Sequence, residues 1–251
     1  MTNENPYSPP ISKIADVFVA GEAGGSLASG IRGEYDFKIG DVIKESWRRT
    51  RGLKAAYWGG MILFILVVLG VLLLIMGIAM SGFIPNFSLG IVGEQVLTLL
   101  ITAVIYPFMA GIAMMGVNRA VDHPVSATQV FGYFDVFLTI MVAGILVTFL
   151  TNIGFMLLII PGIYLTIAYA LTMPLITEKK LGAWRAMESS RKAITHQWFK
   201  IFGLFLLMGL ILMLGAMTVI GLFWVMPMLT AMLGVLYRII FGVELARDGS
   251  I

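Results

Sequence analysis

The chain reads as an all-α polytopic membrane protein, and three features of the sequence predict it. Asp, Glu, Lys, Arg and His are absent from Ala55 to Gly93, Gln95 to Asn118, Val136 to Thr177 and Ile201 to Tyr237. At about 1.5 Å rise per residue across a hydrocarbon core about 30 Å thick, those blocks hold about six crossings. The composition agrees, with 59% hydrophobic and 12% charged residues and a mean hydropathy of +0.94, well outside soluble averages. Once the blocks are folded into hairpins, all 17 Lys and Arg fall on one side, so the positive-inside rule predicts that both termini are cytoplasmic.

Residues 1–36 are polar and rich in Gly, Pro and Ser, a composition that buries too little apolar surface to offset its ordering entropy. They are expected to form a flexible cytoplasmic tail. The alternative is a strap that docks through Ile11, Ile14, Val17, Phe18 and Val19. No basic segment followed by an apolar one marks a cleavable signal.

From Lys38 to Lys54, Ile39, Val42, Ile43, Trp47 and Leu53 recur at helical spacing opposite Asp41, Lys44, Glu45, Arg48 and Arg49, which predicts an interfacial amphipathic helix. The first span follows at 55–80, a turn at 82–93, and a second span at 96–117 interrupted by Pro107. A short interfacial stretch, Pro124 to Phe134, precedes the third span. The block from Val136 to Thr177 is too long for one crossing, so it turns within itself, either at Pro161-Gly162 or at Asn152 to Gly154. Leu181, Trp184, Met187 and Ile194 recur helically through the charged connector Glu178 to Lys200, and spans five and six, 198–217 and 222–241, complete the membrane domain 37–243 before a polar tail at 244–251.

An internal threefold pattern is expected, each unit being an interfacial segment plus a hairpin: 38–119, 124–178 and 181–243. Glu45-Ser46-Trp47-Arg48-Arg49 is echoed by Glu188-Ser189-Ser190-Arg191-Lys192, and Pro107 before Asn118-Arg119 by Pro227 before Tyr237-Arg238. Repeats in one orientation differ from the inverted repeats of many transporters.

Candidate chemistry is sparse. With no Cys and only His123 and His196, both near charged loops, the sequence supplies no thiolate and no His-Glu-x-x-His zinc motif. It has no Asp, Glu, Lys, Arg or His well inside a span, where such groups are retained for function. No cofactor, metal or catalytic residue is therefore expected, nor nucleic-acid binding, since the cations flank membrane helices. Gly144, Thr148, Thr151 and Asn152 form a polar face on span three, suited to close helix packing or, alternatively, to lining a solute path. Pro107, Pro161, Pro174 and Pro227 read as kinks or as broken-helix binding sites. Trp47, Arg48, Arg49, Arg51, Lys54, Lys179, Lys180, Arg185, Arg191, Lys192 and Lys200 form a belt that reads as a topology signal or as contacts to anionic headgroups or a partner. The 17 Met residues read as packing filler.

Ile159-Ile160-Pro161-Gly162-Ile163-Tyr164, Met173-Pro174-Leu175-Ile176, Leu181-Gly182-Ala183-Trp184 with Ser189-Ser190-Arg191, and Trp198-Phe199-Lys200-Ile201-Phe202-Gly203-Leu204 together resemble a superfamily of bacterial six-helix membrane proteins. It includes the membrane domain attached to some glycerophosphodiester phosphodiesterases and stand-alone members of uncharacterised function, whose start Asn5-Pro6-Tyr7-Ser8-Pro9-Pro10 also resembles. The resemblance implies a bacterial inner-membrane location and transfers no catalytic residue; no phosphodiesterase domain is present to carry that activity. The leading expectation is a non-enzymatic accessory or scaffold subunit that contacts membrane lipids and another membrane protein or itself. A channel or facilitator for a small or amphipathic solute stands second, and an enzyme acting on lipid headgroups third.

Overall fold

A computed structural model describes residues 24–80, 91–218 and 220–244, with 78–80 and 91–104 described as backbone alone. The tail before Gly24, its docking positions Ile11, Ile14, Val17, Phe18 and Val19, most of the 82–93 turn and the tail after Glu244 lie outside the described residues. The described chain is helical: α1 Leu27–Arg32, α2 Ile39–Met80, α3 Ile91–Ala120, α4 Phe137–Leu157, α5 Ile159–Ala168, α6 Thr172–Lys179, α7 Ala183–His196, α8 Trp198–Met217 and α9 Leu222–Phe241, with 3-10 turns at Ala127–Phe131 and Phe134–Val136. Among the described residues, five helical segments are long and apolar enough to cross a membrane: Ile39–Gly77, Ala127–Leu157, Ile159–Lys179, Trp198–Met217 and Leu222–Phe241. The expected second span falls within α3, a helix of 30 residues.

The expected interfacial helix and first span are one object. α2 runs for 42 residues without a break, about 63 Å at helical rise, because no Pro or polar cap occurs between Lys54 and Ala55 to stop it. The three supposed repeats therefore begin differently: with the start of a long helix, with 3-10 turns, and with the separate helix α7.

α9 is the central element. Of its apolar window 61% is buried by the rest of the chain, against 6% for α2, whose Ile62, Leu66, Leu73, Leu74 and Met76 face outward. Glycine sets how close α9 comes to α3. Helices cross where Gly116 meets Gly234, and a Cβ at Gly234 would overlap the Gly116 carbonyl.

The register of α9 on α2 departs from the expected arrangement. At one end Arg238 pairs with Glu45 at 2.9 Å. At the other, the Trp58 indole Nε1 donates to the Phe223 carbonyl at 3.1 Å, the two rings stack at 5.5 Å, and the Lys54 ammonium sits 5.0 Å from the Trp224 ring centre. α9 thus lies along Ile39 to Trp58, beside the charged part of α2. The sequence reading puts Lys54 and Trp224 at opposite ends of crossings, which a contact of this length forbids. Three hairpins rising from one basic side do not by themselves account for the way α9 packs on α2.

α4 and α5 form a hairpin with a single connecting residue, Leu158, in extended conformation (φ −163°, ψ 155°). Pro161, expected at the turn, instead occupies the first turn of α5, where its missing N–H costs no helical bond. Span four is broken again at Tyr169 to Leu171, and α7 repairs the break: the Ser190 hydroxyl donates to the Ala168 carbonyl at 2.7 Å and accepts from the Leu171 N–H at 3.3 Å.

From Gly24 onward the expected tail is ordered. Ser26 and Ser29 form a reciprocal capping box for α1. Gly25 donates its N–H to the Arg238 carbonyl at 3.1 Å, and a Cβ there would overlap the carbonyls of Ile239 and Ile240. These glycines serve close approach, not looseness. Replacing Gly234 by Ala is expected to cost about 1–3 kcal/mol through overpacking, read as a fall of several degrees in the thermal midpoint in detergent, whereas Ala at Gly70, which has open space around it, leaves the midpoint unchanged or raised.

Candidate functional site at the charged ends of the helices

α3 ends at Ala120 with carbonyls that have no partner within the helix, an electronegative terminus that favours cations. Two arginines from different helices cap it. Arg49 Nη1 donates to the Arg119 carbonyl at 2.7 Å, and Arg238 Nη1 donates to the Ala120 carbonyl at 2.6 Å. Glu45 holds both: Arg49 Nε donates to its Oε1 at 2.7 Å, and Arg238 grips both its oxygens at 2.9 Å. Asp122, turned by a left-handed backbone (φ 59°), meets Arg49 at 2.8 Å and Arg119 at 3.8 Å. The Glu45, Arg49 and Arg238 side chains are 18%, 10% and 17% exposed.

A second cluster joins α6 to the end of α9. The Tyr237 hydroxyl donates to Glu178 at 2.6 Å, the Glu244 N–H donates to the same carboxylate at 2.7 Å, and Lys179 bridges Glu244 at 2.8 Å. Lys180 reaches Asp135 at 2.5 Å.

A third cluster fastens residues 24–37 over the junction of α7 and α8. The Tyr35 hydroxyl donates to the Ala193 carbonyl at 2.8 Å, the Gln197 amide donates to the Tyr35 carbonyl, and Lys200 pairs with Asp36 while lying over the Phe37 ring. Burial pushes the Tyr35 phenol up to about 12. The Lys200 hydrogen bond holds the Asp36 carboxyl below the usual carboxylate range, and that of Arg191 does the same for Glu188.

The belt expected from sequence therefore divides. Arg49 and Lys179 are turned inward into ion pairs. Lys180, Arg191, Lys192 and Lys200 pair with Asp135, Glu188, Glu188 and Asp36. Arg48, Arg51 and Arg185 are exposed, Trp47 is 49% exposed, and Lys54 rests on Trp224.

The polar face of α4 is a packing surface where it meets α3. The Tyr106 ring fills the space a side chain at Gly144 would need, and its hydroxyl lies 3.3 Å from Thr148 Oγ1. Thr151 Oγ1 is buried without a hydrogen-bond partner and Asn152 is exposed. Of the four prolines, Pro107 and Pro227 lie inside helices, while Pro161 and Pro174 sit in first turns. The roles of Glu45, Asp122, Glu178 and Tyr237 were missed by sequence reasoning. The available signal was the place of Arg119 and Arg238 at the ends of the return helices; Arg238 caps α3, whereas Arg119 donates to the Arg49 carbonyl inside α2.

Comparisons with protein-family models, with curated proteins and with solved structures return no match.

Glu45→Gln keeps the shape but removes the charge that orients two arginines, and is expected to destabilise the fold by about 2–3 kcal/mol. A double-mutant cycle with Arg238→Gln, read by denaturation in detergent, is expected to show strong coupling between the two positions.

Asp36 gives a pH dependence with a definite sign. Its pKa is depressed in the folded state, so its contribution is present at neutral pH and is lost as pH falls through the folded value, below the ordinary carboxylate pKa of about 4. Protection factors of residues 26–37, corrected for the intrinsic exchange rate at each pH, are expected to fall on acidification before those of α9, and Lys200→Gln to abolish the difference.

Proposed function

We propose that the chain is a multi-pass bacterial inner-membrane protein with both termini on the cytoplasmic side, and that it acts without catalysis of its own, as an accessory or scaffold subunit packed against another membrane protein or a second copy of itself. The observation that carries this reading is how the surface is divided. Charged side chains near the core are engaged with helix ends and carboxylates of the same chain, while the most apolar faces point outward.

α8 shows this most clearly. Phe199, Leu206, Leu210, Met213, Leu214 and Met217 are all exposed and recur at helical spacing, a continuous apolar stripe left largely uncovered by the described residues. In lipid, such a stripe meets acyl chains or another helix. The resemblance to the bacterial six-helix superfamily agrees with this location. The two described chain ends meet one body, Gly25 on Arg238 and Glu244 on Glu178 and Lys179, which supports termini on one side. The contact of Lys54 with Trp224 supports an α8–α9 turn on that side too.

A solute facilitator built on Gly144, Thr148, Thr151 and Asn152 draws less support, because Tyr106 occupies the Gly144 end of that face. The absence of native Cys makes single-cysteine labelling direct. Cys at Leu210 or Met213 is expected to give crosslinked adducts with a neighbouring protein in native membranes. Cys at Thr218 is expected to react with a membrane-impermeant maleimide from the same side as Cys at Glu244. Adduct-free stripe positions together with solute flux in proteoliposomes carrying the purified chain would favour the facilitator instead.

A further inference from the structure

The inference concerns the outward face of α2 and rests on the membrane reading above. Lys44, Trp47, Arg48 and Arg51 succeed one another at spacings of three, one and three, so they share one arc of the helix. All four are exposed, whereas Val42, Ser46, Arg49, Thr50 and Leu53 are buried on the opposite arc. Glu45, the acidic residue closest to this arc in sequence, is turned inward and shared between Arg49 and Arg238. Asp41 lies at the edge of the arc.

Pairing separates this face from most of the other cations. Arg32, Arg49, Arg119, Lys179, Lys180, Arg191, Lys192, Lys200 and Arg238 each have a carboxylate partner. Among the described residues, Lys44, Arg48 and Arg51 have none; Lys54, on the Trp224 ring, and the isolated Lys38 and Arg185 have none either, so what sets the arc apart is three such cations together beside an exposed indole. Three uncompensated cations and an exposed indole stand on a helix that continues without a break into its apolar half, where Ile62, Leu66 and Leu69 face outward. A basic arc with a Trp, fixed to an apolar segment by a rigid helix, has the chemistry of a membrane-surface contact.

We propose that this arc binds the headgroups of anionic phospholipids. The phosphates supply the charge that the protein leaves unmatched, and Trp47 sits at the depth where headgroup and acyl chain meet. Arg48 and Arg51 offer planar forks for phosphate oxygens, and Lys44 a compact charge. The paired cations of α7 take no part.

The test uses the full chain reconstituted into phosphatidylcholine vesicles that contain either brominated phosphatidylglycerol or brominated phosphatidylcholine. The Trp47 signal is taken as the fluorescence difference between wild type and Trp47→Phe. Stronger quenching by the brominated anionic lipid is expected. That preference should fall about fivefold for each cation removed, and about a hundredfold for K44Q/R48Q/R51Q together. K38Q/R185Q, which removes two exposed cations elsewhere, should leave it unchanged.

A triple variant that keeps the wild-type preference overturns the proposal. So does equal loss in the K38Q/R185Q variant, which would reduce the effect to net charge, or displacement of the lipid by a soluble polyglutamate peptide, which would assign the face to an acidic protein. A wild-type chain that washes off the vesicles at alkaline pH overturns the membrane reading as well. One that stays but shows no anionic preference overturns the lipid assignment alone.

Discussion

The fold depends on how the C-terminal end of α3 is closed. A helix that stops against other helices leaves carbonyls without partners inside it, and one that is buried and left unpaired costs about 1–3 kcal/mol. Here Arg49 and Arg238 supply the missing donors from α2 and α9. Guanidinium is suited to this because it has several donors in a rigid plane, so one group can cap a carbonyl and grip a carboxylate together. Glu45 then serves as the fixed point: with both arginines on one carboxylate, α2, α3 and α9 are held in a single register.

That register explains the central place of α9. With Arg238 fixed on Glu45, the antiparallel helix runs along α2 to Trp58, and its turn meets Lys54. The Gly116 and Gly234 crossing lies between these ends and permits backbone contact that larger residues would prevent. The glycines near Gly25 extend the same logic to the segment before α2, where backbone lies on backbone. Ion pairing at one end, glycine contact in the middle and aromatic stacking at the other are successive fastenings of one helix.

The helical class and most helix positions were legible in the sequence, because both follow from the lengths of charge-free blocks. Lys54 shows what was not. Its position next to an apolar run marks a membrane boundary under a rule that treats helices as independent rods, yet its ammonium rests on the ring of Trp224 from the far end of another helix. No one-dimensional count contains that contact. The glycines of the segment before α2 misled for a related reason, since composition cannot tell a glycine chosen for freedom from one, such as Gly25 or Gly30 against the Ile240 carbonyl, chosen for lack of bulk. Pro161 was misplaced by only a few residues, because a proline suits the first turn of a helix as well as the turn before it. The polar face of α4 was legible as a face, and its partner Tyr106 was not.

Pairing also decides which cations remain available for function. A belt of ten Lys and Arg beside Trp47 looks uniform in sequence, because each cation carries the same charge. Burial and carboxylates divide it unequally. Arg49 caps a helix, Lys179 closes a cluster under Tyr237, and Lys200 pins Asp36. Their charges are matched at short range, so little field is left for a partner. Lys44, Arg48 and Arg51 keep theirs, and Glu45, next to Lys44 in sequence, is turned inward to Arg49 and Arg238. The interaction that organises the interior thus also determines which surface is left positive. A substitution at Glu45 would therefore act twice, loosening the closure of α3 and altering the charge balance of the outer arc.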